Sequence, residues 1–299
     1  MSQQKLVIVA HGIGRHAEDF KKQWEPFLLP LAQATGVKLQ VEGLWWDDIQ
    51  QALDEKYDIS ATATALAGQL GFPLQAGGTA YQQARDFYKD VFFYLCAHEM
   101  STFLQIECAK KLRRLTKGQE GHTLLIGHSL GAAMLPHVIW RRFGSTGENL
   151  FHSLILLASP LGMCSPLPGL VADPLEIMRK LIKEYQTASR TELLGAFGDC
   201  WGPQRLNFIN NRRDLVCAEV TYEDSLPNIP HVYVKGHLLP DIQKEFSGQE
   251  IEAVATARQT VQKFAFGEAR LKAMVANHAV EVYLASPPFK TTFRRLLRA

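Results

Sequence analysis

The residues with the clearest chemical potential are Gly127-His128-Ser129-Leu130-Gly131. They follow an apolar run, Thr123-Leu124-Leu125-Ile126, and precede Ala132-Ala133, so strand, sharp turn and helix succeed one another. That arrangement around G-x-S-x-G is the nucleophile elbow, with serine at the tip of a strained turn. A side chain two residues to either side would collide with the neighbouring strand or helix. The helix that follows points its partial positive end at the place where an oxyanion would form.

A serine hydroxyl is a poor nucleophile until a base takes its proton, and the base needs an acid to orient it. Asp214 is the expected acid. It directly follows the short strand Leu206-Asn207-Phe208-Ile209, whereas Asp173 and Asp199 do not. His237 is the expected base, since it follows the strand-like His231–Gly236 run and precedes a helix. His231 begins that run, at the wrong end of the sheet, and His128 lies inside the elbow pointing away. The backbone N–H groups of Leu130 and Ile13 are the expected oxyanion donors. Ile13 belongs to His11-Gly12-Ile13-Gly14, a Gly-rich turn at the end of another buried strand. His11, Gly12, Gly14 and His128 are expected to line the substrate. The order Ser, Asp, His along the chain is that of α/β-hydrolase triads. No metal-ligand spacing is present, and this chemistry needs no cofactor.

These positions require strand ends that converge. Lys5–Ala10, Thr123–Ile126 and Leu154–Ala158 are continuous apolar runs, as in strands buried on both faces of a parallel sheet. Val37–Val41 alternates, and Trp45-Trp46-Asp47-Asp48 ends it, with Asp47 or Asp48 suited to cap the next helix. Core packing suits both tryptophans. Phe20, Trp24, Phe27, Leu28 and Leu31 follow helical spacing interrupted by Pro26 and Pro30. Long helices are expected within 81–115 and over 251–274, and an edge strand over 279–284. The alternation of strands and helices predicts an α/β fold with a mostly parallel sheet and helices on both faces. Residues 59–79 read as a flap or a buried connection. Residues 163–204, inserted after the strand ending near Ala158, read as a cap or lid.

With 299 residues, 46% hydrophobic and 21% charged, the chain suits a single α/β domain spanning 1–299. A formal charge of +2 gives no reason to invoke nucleic acid. Leu6–Ala10 is too short for a signal-peptide core, no run reaches membrane-span length, and the five cysteines show no pairing pattern. A cytoplasmic protein with reduced thiols is the expectation. Oligomeric state is left open. The basic tail, 285–299, sets Phe289, Phe293, Leu296 and Leu297 on one face. Such a tail docks on its own domain or makes transient contact with an anionic membrane surface.

The chain resembles α/β-hydrolases, and more narrowly the bacterial relatives of intracellular DDHD-type phospholipases. The resemblance is carried by HGIG at 11–14, WWDD at 45–48, DVFFYL at 90–95, GHSLG at 127–131, ASPLG at 158–162 and NFINNRRDLV at 207–216. It implies Ser129 as nucleophile, Asp214 as acid and His237 as base. It implies a serine carboxyl-ester hydrolase of lipase, phospholipase or esterase type, acting on an acyl ester or lipid. A thioesterase or acyltransferase would use the same three residues. A hydrolase-fold protein that binds a lipid or partner without turnover is the alternative from another class.

Overall fold

A computed structural model describes residues 4–12, 14–58, 61, 98–143, 151–159, 206–211, 214, 231–234 and 276–299. The expected flap at 59–79, the cap at 163–204 and the helix at 251–274 lie outside the described residues, apart from position 61.

The strands are β1 (Gln4–Ala10), β2 (Lys38–Leu44), β3 (Thr123–His128), β4 (Phe151–Leu157), β5 (Leu206–Asn211) and β6 (His231–Val234). They form one sheet in the order β2-β1-β3-β4-β5-β6, every neighbouring pair parallel. The order reverses beside β1: β2 lies on one side of it and every later strand on the other. In open parallel sheets such a switch opens a crevice at the carboxyl ends of the strands, here those of β1 and β3.

Burial follows the period-two geometry of a strand covered on both faces. Leu6, Ile8 and Ala10 of β1 pack with α2 (Asp47–Tyr57), α3 (His98–Thr116) and α4 (Leu130–Arg142). Val7 and Val9 pack the opposite way, with α1 (Glu25–Gln33), α5 (Val280–Leu284) and α6 (Pro287–Arg298). Between β1 and α1, a short 3-10 helix at Phe20–Gln23 precedes Pro26 at the helix start, so the interrupted spacing resolves into two pieces.

Two expectations are corrected, and the reading of the tail is narrowed. Residues 279–284 form no edge strand: Val280–Leu284 is a short helix, with Tyr283 and Leu284 fully buried. Neither Asp47 nor Asp48 caps α2; Trp46 holds that position without a side-chain hydrogen bond. Asp47 instead accepts from the backbone N–H of His16, and Asp48 pairs with Lys111 at 2.7 Å. The 285–299 segment is a core element. Ser286 accepts the N–H of Phe289, Pro287 and Pro288 occupy the first turn, and Phe289, Phe293, Leu296 and Leu297 are buried in the sheet-facing cluster. At about 1.5–3 kcal/mol for each such side chain, that face is anchored firmly. Polar ties reinforce it: Lys5 Nζ donates to the Leu296 carbonyl at 3.3 Å, and Arg295 to Asn207 Oδ1 at 2.8 Å. The apolar face thus docks on the protein's own sheet, the first of the two readings given above. Among the described residues, no helix is long and apolar enough to cross a membrane.

Candidate active site

All six residues of β3 are buried, and the chain passes from β3 into α4 through Ser129 alone. Its N–H donates to the Leu157 carbonyl at 2.9 Å, which continues the ladder to β4. Its carbonyl accepts from Ala132 at 2.9 Å and Ala133 at 3.2 Å, which opens α4. A strand-to-helix reversal at one residue places Ser129 at φ 54°, in the left-handed region that L-residues rarely adopt.

The flanking glycines have steric reasons. A Cβ on Gly127 would lie 2.7 Å from the Gly131 carbonyl oxygen, and one on Gly131 would lie 2.5 Å from that of His11. The first lets β3 and α4 touch; the second lets α4 press against the end of β1. Gly12 meets Ser129 directly, since a Cβ there would lie 2.8 Å from Ser129 Cβ and 3.4 Å from its hydroxyl oxygen. The turn after β1 thus closes over the elbow. Gly14 follows at φ 102° with open space where a Cβ would project. Leu130 is the first residue of α4, so its N–H has no acceptor within the helix. Ile13 lies outside the described residues.

Asp214 follows β5, is fully buried, and donates its N–H to the Asn211 carbonyl at 3.0 Å. One oxygen, Oδ2, accepts from His278 Nδ1 at 2.7 Å and from the Tyr283 hydroxyl at 2.6 Å. His237 lies outside the described residues; the ring seated on Asp214 is that of His278. A ring nitrogen facing a carboxylate is a donor, so the neutral imidazole of His278 carries its lone pair on Nε2. That Nε2 is buried without a hydrogen-bond partner among the described residues, and so is Ser129 Oγ.

His128 connects the two ends. Its Nε2–H donates to the His278 carbonyl at 2.8 Å, and the two rings lie 4.9 Å apart, tilted by 39°. Burial, and then the neighbouring His278, hold its pKa well below 6.5 despite the opposing hydrogen bond, so the ring is neutral. A second tie comes from Asn211, whose side-chain amide donates to the Asn277 carbonyl at 3.1 Å. All three asparagines of β5 are buried and each reaches a different segment: Asn207 takes Arg295, Asn210 takes the N–H of Ser159 at 3.2 Å, and Asn211 takes Asn277.

Two residues expected to line the substrate are held by the scaffold. His128 grips the His278 backbone as described. His11 is 2% exposed, stacked on Trp46 with centroids 3.7 Å apart, and donates from Nδ1 to the Gly12 carbonyl at 2.9 Å. Burial first, and then nearby His16, push its pKa well below 6.5. Its other nitrogen lies 3.5 Å from the Trp46 N–H and 3.3 Å from Asp47. His11 therefore fixes the turn that carries Gly12.

His278 and Tyr283 were not among the expected site residues. Reading 279–284 as a strand set His278 at the start of an element, where a base has no place. In the structure His278 is helical, and Ala279 is the extended joint before α5. The usable signal was chain order, because His278 also follows Ser129 and Asp214.

No family model matches this sequence, and no curated protein matches it. Among solved structures, the chain is similar to the crystal structure of the ydeN gene product from B. subtilis, at 15% sequence identity. The match covers 86% of this chain and 99% of that one, with a TM-score of 0.35. A likeness this loose carries no argument about activity.

Proposed function

We propose that the protein is a serine hydrolase of the α/β-hydrolase type that cleaves carboxylic esters through an acyl-enzyme on Ser129. One observation carries the reading. A buried Asp214 holds His278 by Nδ1, the opposite nitrogen has no hydrogen-bond partner among the described residues, and neither has the hydroxyl of Ser129, which directly follows the His128 whose ring lies 4.9 Å from that of His278. Unpartnered buried polar atoms are rare and call for a reason, and a reacting pair supplies one. In this reading the base is His278 rather than His237.

As Ser129 Oγ attacks the acyl carbon, its proton passes to His278 Nε2. Asp214 keeps the ring in the required tautomer and offsets the imidazolium charge. The carbonyl oxygen, now an oxyanion, is met by the N–H of Leu130 at the start of α4 and by that of Ile13 beside Gly12. Each such donor stabilises the transition state by about 3–4 kcal/mol. Collapse expels the alcohol, which takes the proton from Nε2. Water then attacks the acyl-enzyme, losing its proton to the same nitrogen, and the acid is released with Ser129 restored.

An acyl ester is the substrate class, and a lipid ester is the narrower form drawn from the resemblance to DDHD-type phospholipases. A fluorophosphonate probe tests the reaction, since it phosphonylates only an activated serine. Wild type is expected to be labelled and Ser129→Ala to be spared; equal labelling of the two would remove the proposal.

A further inference from the structure

Among the described residues, Asp214, the acid of the proposed site, receives two donors on one oxygen, and the second has no role in the mechanism above. Tyr283 is fully buried, and its hydroxyl lies 2.6 Å from Asp214 Oδ2, the oxygen that also receives His278 Nδ1–H. A short bond to a charged acceptor is stronger than one between neutral groups. Two effects follow. The carboxylate cannot rotate about its Cβ–Cγ bond without breaking the tyrosine bond, so the ring of His278 is aimed by a fixed acceptor. The negative charge is also shared between two donors, so less of it stabilises the proton on an imidazolium.

We infer that Tyr283 is a positioning residue: its hydroxyl locks the Asp214 carboxylate and draws off part of its charge. His278 is thereby oriented without being driven into its protonated, inactive form. The inference rests on His278 being the base of the proposed hydrolase. Asp214 from the end of β5, His128 from the end of β3 and Tyr283 from α5 are the titratable groups facing His278 among the described residues. His16 stands beyond, close enough to be felt by His128. His128 is neutral, so the charge facing His278 among the described residues is that of Asp214.

The sign is fixed by the charge. Tyr283→Phe keeps the buried ring but returns the full carboxylate charge to His278. The pH at which His278 is half protonated then rises, on the order of one unit. A 3-fluorotyrosine placed at 283 alone is the more acidic phenol and the stronger donor, so it shifts the midpoint down.

The experiment is an NMR titration of the His278 ring in the full-length protein, run beside the pH dependence of fluorophosphonate labelling. Midpoints moving up in Tyr283→Phe and down in the fluorotyrosine protein support the inference. Midpoints that stay in place, or that move the same way in both, overturn it. Should Tyr283→Phe not fold, the fluorotyrosine protein decides: a downward shift supports, an unchanged or raised midpoint overturns. NMR shifts of the expected signs without labelling of Ser129 would support the hold of Tyr283 on Asp214 and His278 and remove the hydrolase reading, and with it the positioning of a base. Labelling with unmoved midpoints would do the reverse.

Discussion

Between Ala10 and Ala133 the chain sets Ser129 in place almost wholly through backbone. Two glycines let strand, helix and neighbouring strand touch, a third admits the turn after β1, and the serine turns at φ 54°. Between Asn277 and Arg298 placement works differently. His278 is held by side chains that reach it from Asp214 and His128, Asn211 holds the preceding Asn277, and the segment is fastened by a helix whose apolar face fills the core. Ser129 is specified locally, within a few residues and by sterics. His278 is specified at a distance, by hydrogen bonds spanning 64 and 150 positions. Steric specification leaves a sequence pattern, and hydrogen bonding across the fold leaves almost none.

The widest expected effect tests which histidine belongs to the distant half. His278→Ala should lower p-nitrophenyl ester turnover by about 10,000-fold or more, in line with loss of a triad base. His237→Ala should lower it less than about 10-fold. Steady-state rates of the two variants decide between them, and the opposite ranking would return the base to 237.

Volume changes come next, and should separate the two kinds of placement. Gly131→Ala drives a Cβ to 2.5 Å from a backbone oxygen that has nowhere to move, so overpacking of about 1–3 kcal/mol or more is expected. Phe293→Ala removes a ring that stacks on Phe289 at 5.4 Å and leaves a cavity, costing about 3–5 kcal/mol. Urea denaturation measures both. At a urea concentration where each remains folded, Gly131→Ala should abolish labelling of Ser129, whereas Phe293→Ala should weaken it in proportion to the loosened base. Equal labelling would erase the contrast.

The smallest effect is in the pH dependence of stability. His11 and His128 have folded-state pKa values depressed below the ordinary 6.5 by burial. The unfolded chain therefore takes up their protons first as pH falls. Their contribution to stability is complete above about pH 6.5 and is lost as pH drops below it, by about 1.4 kcal/mol per unit for each ring that must charge. Urea midpoints across pH 7.5 to 4.5 should show this slope, reduced by one proton in a His128→Asn variant. A flat profile would mean the rings protonate without unfolding.

Much of the fold was legible because the inner strands are buried on both faces. Leu6–Ala10, Leu124–Ile126 and Leu154–Leu157 are apolar at nearly every position, and only a covered parallel sheet suits that. Ser129 was legible for the steric reason given above. His278 was not, because Val280-Glu281-Val282-Tyr283-Leu284 carries β-branched residues in alternation and reads as a strand. Tertiary packing overrides that preference: Tyr283 is turned inward to Asp214, and Ser286 with two prolines starts the next helix. The Trp46-Asp47 junction failed similarly, since Asp47 answers the N–H of His16 across the fold rather than its own helix.

The hydrogen bond from His128 to the carbonyl of His278 has a mechanical result. The ring making it belongs to the residue immediately before Ser129, so a displacement of His278 drags on the elbow, and a displacement of the elbow drags on His278. In the proposed hydrolase this tie resists any change in the spacing across which the proton travels. Adjustment to substrates of different girth then falls to walls elsewhere.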